Sequence, residues 1–191
     1  MNKTRMLRLA APMLALGLTL TACSDSGDTD EVSAAHNDQD VAFATDMIPH
    51  HAQAVEMADL AADRAGSQDV KDLAENISAA QGPEIEQMSA WLEAWGEEVP
   101  DTAGGMEGME GMEDMPGMMS SADMESLETA SGAEFDEMFL SMMVEHHQGA
   151  IEMAQTEQSE GENPEAIDLA ETIEETQTEE MSSMEDLLAS V

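Results

Sequence analysis

The chain has 191 residues, of which 43 are acidic and only five are Lys or Arg, so its formal net charge at pH 7 is -38. A surface this acidic repels nucleic-acid phosphates and anionic membrane faces, and we expect neither as a partner. Cations, basic partners and solubility in salt are compatible with the charge. The single cysteine excludes an intrachain disulfide and a metal site built from several thiolates.

The first 22 residues have the layout of a secretory signal. Three basic residues precede an apolar run over residues 9–20, which is too short for a lasting membrane span. The residues before Cys23 resemble a bacterial lipobox, which predicts cleavage after Ala22 and a lipid on Cys23. Ordinary cleavage that leaves a free thiol is the alternative. We expect a lipoprotein on the outer face of the cell membrane.

A flexible tether and an all-helical domain are predicted to follow the signal. Residues 23–37 are rich in Ser, Asp, Gly and Thr, as linkers are, and His36 is expected to face solvent. Residues 38–190 are rich in good helix formers. Their apolar spacing predicts helices at 38–65, 68–95, 123–158 and 164–190.

The predicted helices carry an apolar seam with the three- and four-residue steps of a packed bundle. In the first helix the seam consists of Phe43, Met47, His50, Ala54, Met57 and Ala61. In the second helix it consists of Val70, Ala74, Ile77, Gln81, Glu84, Met88, Trp91 and Trp95. Pro49 and Pro83 each remove a helical hydrogen bond, so we expect a kink near the histidines or a later helix start.

The second half of the chain repeats the first at an offset of 96 residues. The stretch PHHAQAVEMA at residues 49–58 returns as EHHQGAIEMA at residues 145–154. The sequence therefore predicts an all-α, four-helix bundle made of two duplicated helical hairpins. The hairpins are residues 38–95 and 123–190, joined by a connector rich in Met, Gly and Glu at 96–122.

Histidine and methionine share one face of the first helix in each half. Because a helix turns by about 100° per residue, Met47, His50 and Met57 lie on the same face, with His51 at the edge of that face. Thioether sulfur suits Cu(I) and imidazole suits several transition metals, so this set without cysteine favours copper. The candidate metal ligands are Met47, His50, His51, Met57, Met143, His146, His147 and Met153. We expect the first histidine of each pair to matter more for this site than the second.

Polar residues on the seam of the second helices support a metal site. Four of them stand where apolar residues are expected: Gln81, Glu84, Gln177 and Glu180. Because buried amides and carboxylates need partners, we expect them to bond to the outward ring nitrogens of the histidines. The alternative is that methionine fills the core and the histidines are ordinary packed residues.

Methionine also recurs every three residues in the connector, in GMEGMEGMEDMPGMM. A flexible thioether array can wrap Cu(I), and nearby glutamates raise the local cation concentration. A low-complexity expansion explains the same pattern equally well. The residues of this candidate second metal region are Met106, Met109, Met112, Met115, Met118 and Met119.

The chain resembles the bacterial domain of unknown function 305 family. The resemblance rests on FATDMIPHHAQAVEMA, on QGPEIEQMSAWL and on the stretch from MPGMMSS to QGAIEMA, and it extends over most of residues 38–190. It implies a ferritin-like four-helix fold, secretion or lipid anchoring, and in some members copper binding through Met and His. Pro83 and the long connector depart from the family pattern.

The leading hypothesis is an extracytoplasmic, membrane-anchored lipoprotein that binds or buffers copper, preferably Cu(I), without catalysis. A ferritin-like, metal-dependent oxidoreductase is one alternative, although the Glu-x-x-His signature of ferritin-like iron sites is missing. An acidic structural or interaction module without metal is the other. The lipid on Cys23 is the only membrane contact that the sequence predicts.

Overall fold

The computed structural model describes residues 35–102 and 115–190, which are helical and contain no strand. The helices are α1 (Asp38–Arg64), α2 (Gln68–Trp95), α3 (Ser121–Thr129), α4 (Ala133–Glu160) and α5 (Pro164–Leu188). α1 packs along α2, α4 packs along α5, and the two pairs meet mainly through α1 and α4. The predicted all-α bundle is confirmed. Within the described ranges, no helix is long and apolar enough to cross a membrane.

The third predicted helix, at 123–158, is two helices in the structure. α3 ends at Thr129 and α4 begins at Ala133, because Gly132 adopts a φ of 64° that a continuing right-handed helix cannot contain. The N–H of Gly132 donates to the carbonyl of Arg64 at 2.8 Å. The chain therefore breaks where it crosses the turn between α1 and α2.

Both helices of the first pair continue through their prolines. α1 begins at Asp38, as predicted, and Pro49 lies inside it; α2 likewise contains Pro83. A capping box fixes the start of α1: the Asn37 side chain accepts the Asp40 N–H, and the Asp40 carboxylate accepts the Asn37 N–H. The later helix start that the prolines suggested is wrong.

The last residues of the predicted tether pack on the bundle. His36 stacks on Trp95 with ring centroids 4.5 Å apart, so the expectation that it faces solvent is wrong. The Asn163 side chain donates to the carbonyl of Ala35 at 2.9 Å. Cys23 and the rest of the predicted tether and signal lie outside the described residues.

An aspartate near the start of each long inner helix binds the turn of the opposite helix pair. Asp40 of α1 accepts the N–H groups of Glu162 and Asn163, which precede α5, at 3.1 and 2.8 Å. Asp136 of α4 accepts those of Gly66 and Ser67, which precede α2, at 3.0 and 2.9 Å. These contacts fix α1 and α4 in antiparallel order at both ends.

At one end of the contact between α1 and α4, a second carboxyl group is buried beside the aspartate; at the other end it is replaced by alanine. Glu157 of α4 is fully buried beside Asp40, whereas the position 96 residues earlier is Ala61. Burial, together with the Asp40 carboxylate, raises the pKa of Glu157 to about 8. Burial opposes ionisation of Asp40 too, but backbone N–H groups outweigh it and lower the pKa of Asp40. Glu157 is thus protonated at neutral pH and lies beside an ionised Asp40.

We expect Glu157 to make stability fall as pH rises from 4.5, its ordinary pKa, to about 8. Over this interval the folded protein holds a proton that the unfolded chain has lost. Glu157→Gln keeps a neutral polar side chain of similar size beside Asp40 and removes the titration. Urea unfolding across this interval should show wild type losing stability relative to the variant, since other titrating groups cancel in the difference. A constant difference would contradict the assignment.

Candidate metal centre

The two histidine pairs meet in one layer between α1 and α4. All four imidazoles are buried, with 0% relative exposure for His50, His51, His146 and His147. The rings of His50 and His146 are 3.8 Å apart between centroids and tilted by 39°. The antiparallel contact of α1 with α4 is fixed at both ends, so the middles of the two helices meet. His50 and His146 lie near these middles.

The second histidine of each pair is turned toward the second helix of its own pair. His51 Nε2 lies 2.6 Å from Glu84 Oε2 on α2, and His147 Nε2 lies 2.7 Å from Glu180 Oε2 on α5. The sequence placed His51 and His147 at the edge of the seam, but α2 and α5 cover them completely. A carboxylate oxygen only accepts, so in both bonds the imidazole Nε2 carries the hydrogen.

The remaining imidazole nitrogens lack partners. Among the described residues, Nδ1 of His50, His51 and His147 and both nitrogens of His146 have no hydrogen-bond partner. Buried polar atoms are ordinarily bonded, and a group of exceptions calls for water, an ion or a functional role. A neutral imidazole has a lone pair on only one of its two nitrogens. A layer with unbonded nitrogens on all four rings, two of which touch, is suited to a ligand that accepts lone pairs.

The environment keeps the central imidazoles neutral. Burial, with the neighbouring His51, lowers the pKa of His50 to about 3. Burial and the neighbouring His50 lower the pKa of His146 well below its usual value. Both rings are therefore unprotonated at neutral pH, which is the form that binds metal ions.

The two seam glutamines do not bond to the histidines. Gln81 and Gln177 are buried, but the two amide atoms of Gln81 and the Oε1 of Gln177 have no partner in the described parts of the chain. The predicted contact is thus present for Glu84 and Glu180 and absent for the glutamines.

The candidate methionine ligands lie in two groups rather than in one shared interior. Met47 and Met153 belong to one hydrophobic cluster, and Met57 and Met143 belong to the other. Along both α1 and α4 the histidines stand between these clusters. Met153 is partly exposed, whereas the other three are fully buried. The eight candidate ligands therefore form a histidine layer with a pair of thioethers toward each end.

The donor set limits which metals fit. Within residues 35–102 and 115–190, no group of three or more His, Cys, Asp or Glu is arranged to hold a metal ion. Imidazole lone pairs flanked by thioethers suit a soft ion, above all Cu(I).

The end of the connector crosses the histidine layer, which the sequence did not predict. His50 Nε2 lies 3.1 Å from the Pro116 carbonyl oxygen, and Gln53 bonds twice to the backbone of Met119. The position 96 residues after Gln53 is Gly149, and this difference between the two repeats is a sequence signal that could have pointed to a contact with the connector. Met106, Met109 and Met112 lie outside the described residues.

These features define an all-helical bundle with paired histidines buried between two helix pairs. The sequence pattern of the domain of unknown function family DUF305 matches residues 40–188, and the chain belongs to this family. The resemblance seen in the sequence is thereby confirmed. No curated protein sequence matches the chain significantly.

Several solved structures are similar to the chain. A DUF305 protein of Streptomyces coelicolor, assigned as secreted, is 34% identical with a TM-score of 0.71; the match covers 80% of this chain and 93% of that one. A DUF305 fragment of Deinococcus radiodurans is 32% identical with a TM-score of 0.69, covering 81% and 98%. CopM in its Cu(II)-bound form is 32% identical with a TM-score of 0.67, covering 79% and 96%.

Replacing Glu84 tests its contact with His51. Glu84→Leu leaves the buried Nε2–H of His51 without an acceptor, which should lower the free energy of unfolding by about 1–3 kcal/mol. Glu84→Gln retains an acceptor oxygen and should cost less. Glu86→Leu, at an exposed position of the same helix, is the matched control. Urea unfolding measures all three, and equal midpoints for Glu84→Leu and Glu86→Leu would show that the contact contributes nothing.

Proposed function

We propose that this chain binds copper, preferably Cu(I), in the histidine layer, and that it buffers the metal outside the cytoplasm without catalysing a reaction on it. The observation that carries the proposal is the contact of His50 with His146. Their rings are 3.8 Å apart, fully buried and neutral, and neither Nδ1 has a hydrogen-bond partner in the described residues.

The charge around the layer favours a monovalent soft cation. The ligand candidates are imidazoles and thioethers, which carry no negative charge, and an ion buried among them is less costly when its own charge is small. Glu84 and Glu180 accept the Nε2–H groups of His51 and His147, and their carboxylates would offset the charge of a bound ion.

Similarity to copper-bound structures supports this choice of metal. CopM has been solved in Cu(II)-bound, Cu(I)-bound and Ag-bound forms, and these are 29–32% identical to this chain over 79% of its length. Ag(I) and Cu(I) are both soft monovalent ions. The excess of 43 acidic over five basic residues would also raise the cation concentration near the surface.

The proposed location is the outer face of the cell membrane. The similar protein of Streptomyces coelicolor is assigned as secreted, and the first 23 residues here have the pattern of a lipoprotein signal. An extracytoplasmic copper site built without thiolates agrees with the single cysteine, which the lipid would occupy. The metal ion and the membrane reached through Cys23 are the partners that we propose.

An anaerobic Cu(I) titration against a competing chelator tests the histidine layer. We expect wild type to bind stoichiometrically and His50→Ala/His146→Ala to lose this binding. Saturation at about 100 times the dissociation constant should stabilise wild type by about 2.7 kcal/mol. His36→Ala, which removes the histidine stacked on Trp95, should bind as wild type does.

The connector methionines form a second arm of the same titration. A variant with Met106, Met109, Met112, Met115 and Met118 changed to Leu should keep the histidine-dependent equivalent of metal, because the layer retains its own ligands. Stoichiometric binding that survives in His50→Ala/His146→Ala and disappears in the connector variant would move the site to the connector.

The lipid anchor is tested by expression of the full-length gene product with labelled fatty acid. We expect label on wild type, which should fractionate with membranes, and no label on Cys23→Ser. A soluble, unlabelled wild-type protein with an intact thiol would instead support ordinary signal cleavage.

A further inference from the structure

Residues 115–119, here called the strap, lie across α1 and α4 at the level of the histidines. The Pro116 carbonyl oxygen is 3.1 Å from His50 Nε2. Since a carbonyl oxygen can only accept, the contact requires a hydrogen on Nε2. A neutral imidazole with its hydrogen on Nε2 has its lone pair on Nδ1, and that atom of His50 has no partner among the described residues.

One side of the strap is held by α1. Gln53, one turn beyond His50, donates from Nε2 to the Met119 carbonyl at 2.9 Å and accepts the Met119 N–H on Oε1 at 2.8 Å. Both bonds are buried, so water does not compete with them. This pairing fixes the position of the strap along α1 and thereby the position of the Pro116 carbonyl.

The other side of the strap rests on α4 through two glycines. A side chain at Gly149 would collide with the backbone of Pro116 and Gly117. Gly117 has a φ of 75° and lies against the carbonyls of Glu145 and His146, where a Cβ would come within 2.8 Å of both. The strap therefore fits only because α4 has no side chain at residue 149.

We propose that the strap selects the tautomer of His50, so that His50 presents Nδ1 to the metal, and that Gln53 and Gly149 are the positioning residues for this contact. The inference rests on the proposed function for the metal and on the geometry alone for the tautomer. Neither nitrogen of His146 has a hydrogen-bond partner within the described part of the chain, so the strap does not select its tautomer and the two central histidines are not equivalent.

Gly149→Ala tests the proposal with Gly82→Ala as the matched control. Alanine favours a helix interior more than glycine does, so both variants should fold, which circular dichroism checks. At Gly82 an added Cβ meets nothing within 4 Å, whereas at Gly149 it meets the strap backbone. Gln53→Leu, which removes both bonds to Met119, should act in the same direction as Gly149→Ala.

Two measurements on the purified full chain are compared. Long-range ¹H–¹⁵N NMR of the metal-free protein should show His50 as a single Nε2–H tautomer in wild type and Gly82→Ala, and as a mixture in Gly149→Ala. Competitive Cu(I) titration should show affinity lowered roughly 10- to 100-fold in Gly149→Ala and lowered in Gln53→Leu, but unchanged in Gly82→Ala, because losing a partner that orients a ligand usually has this effect.

The outcomes separate this proposal from the proposed function. An Nδ1–H tautomer of His50 in wild type, or an unchanged tautomer and Cu(I) affinity in Gly149→Ala, would overturn the role of the strap. The expected change of tautomer in a protein that binds no Cu(I) would overturn the proposed function and sustain the control of His50 by the strap.

Discussion

α1 and α4 pack against each other in antiparallel order, and an aspartate near the start of each holds the turn that begins the outer helix of the opposite pair. Asp40 and Asp136 make these contacts at the two ends. With both ends fixed, the middles of the two antiparallel helices must meet. His50 and His146 lie near these middles, and their contact, their burial and their lowered pKa all follow from this packing.

The connector gives different surroundings to the two helix pairs. Positions 96 residues apart make the same bonds at His51 with Glu84 and at His147 with Glu180. In the described residues, however, the end of the connector bonds to only one of the two central histidines, His50. Gln53 and Gly149 differ for this reason. Gln53 of α1 bonds to the strap through its side-chain amide, and Gly149 of α4 leaves room for the strap because it has no side chain.

The electrostatics differ sharply between surface and interior. The surface is dominated by carboxylates, whereas the layer between α1 and α4 contains unprotonated imidazoles with free lone pairs and thioethers nearby. A cation attracted by the surface would meet uncharged ligands inside. The carboxylates of Glu84 and Glu180 are hydrogen-bonded to two of these ligands, His51 and His147. Imidazole and thioether ligands of this kind suit a soft ion better than a hard one.

The sequence by itself determined the helical fold and the histidine and methionine positions. It did so because a buried helix face must recur every three or four residues, and the seam residues obey that spacing. It could not place the helix break at Gly132 or the packing of His36, since these depend on Arg64 and Trp95, which are distant in the chain. Only the tertiary structure brought His50 to His146 and the Pro116 carbonyl to His50, because antiparallel packing and a crossing strap are long-range contacts that local spacing does not encode.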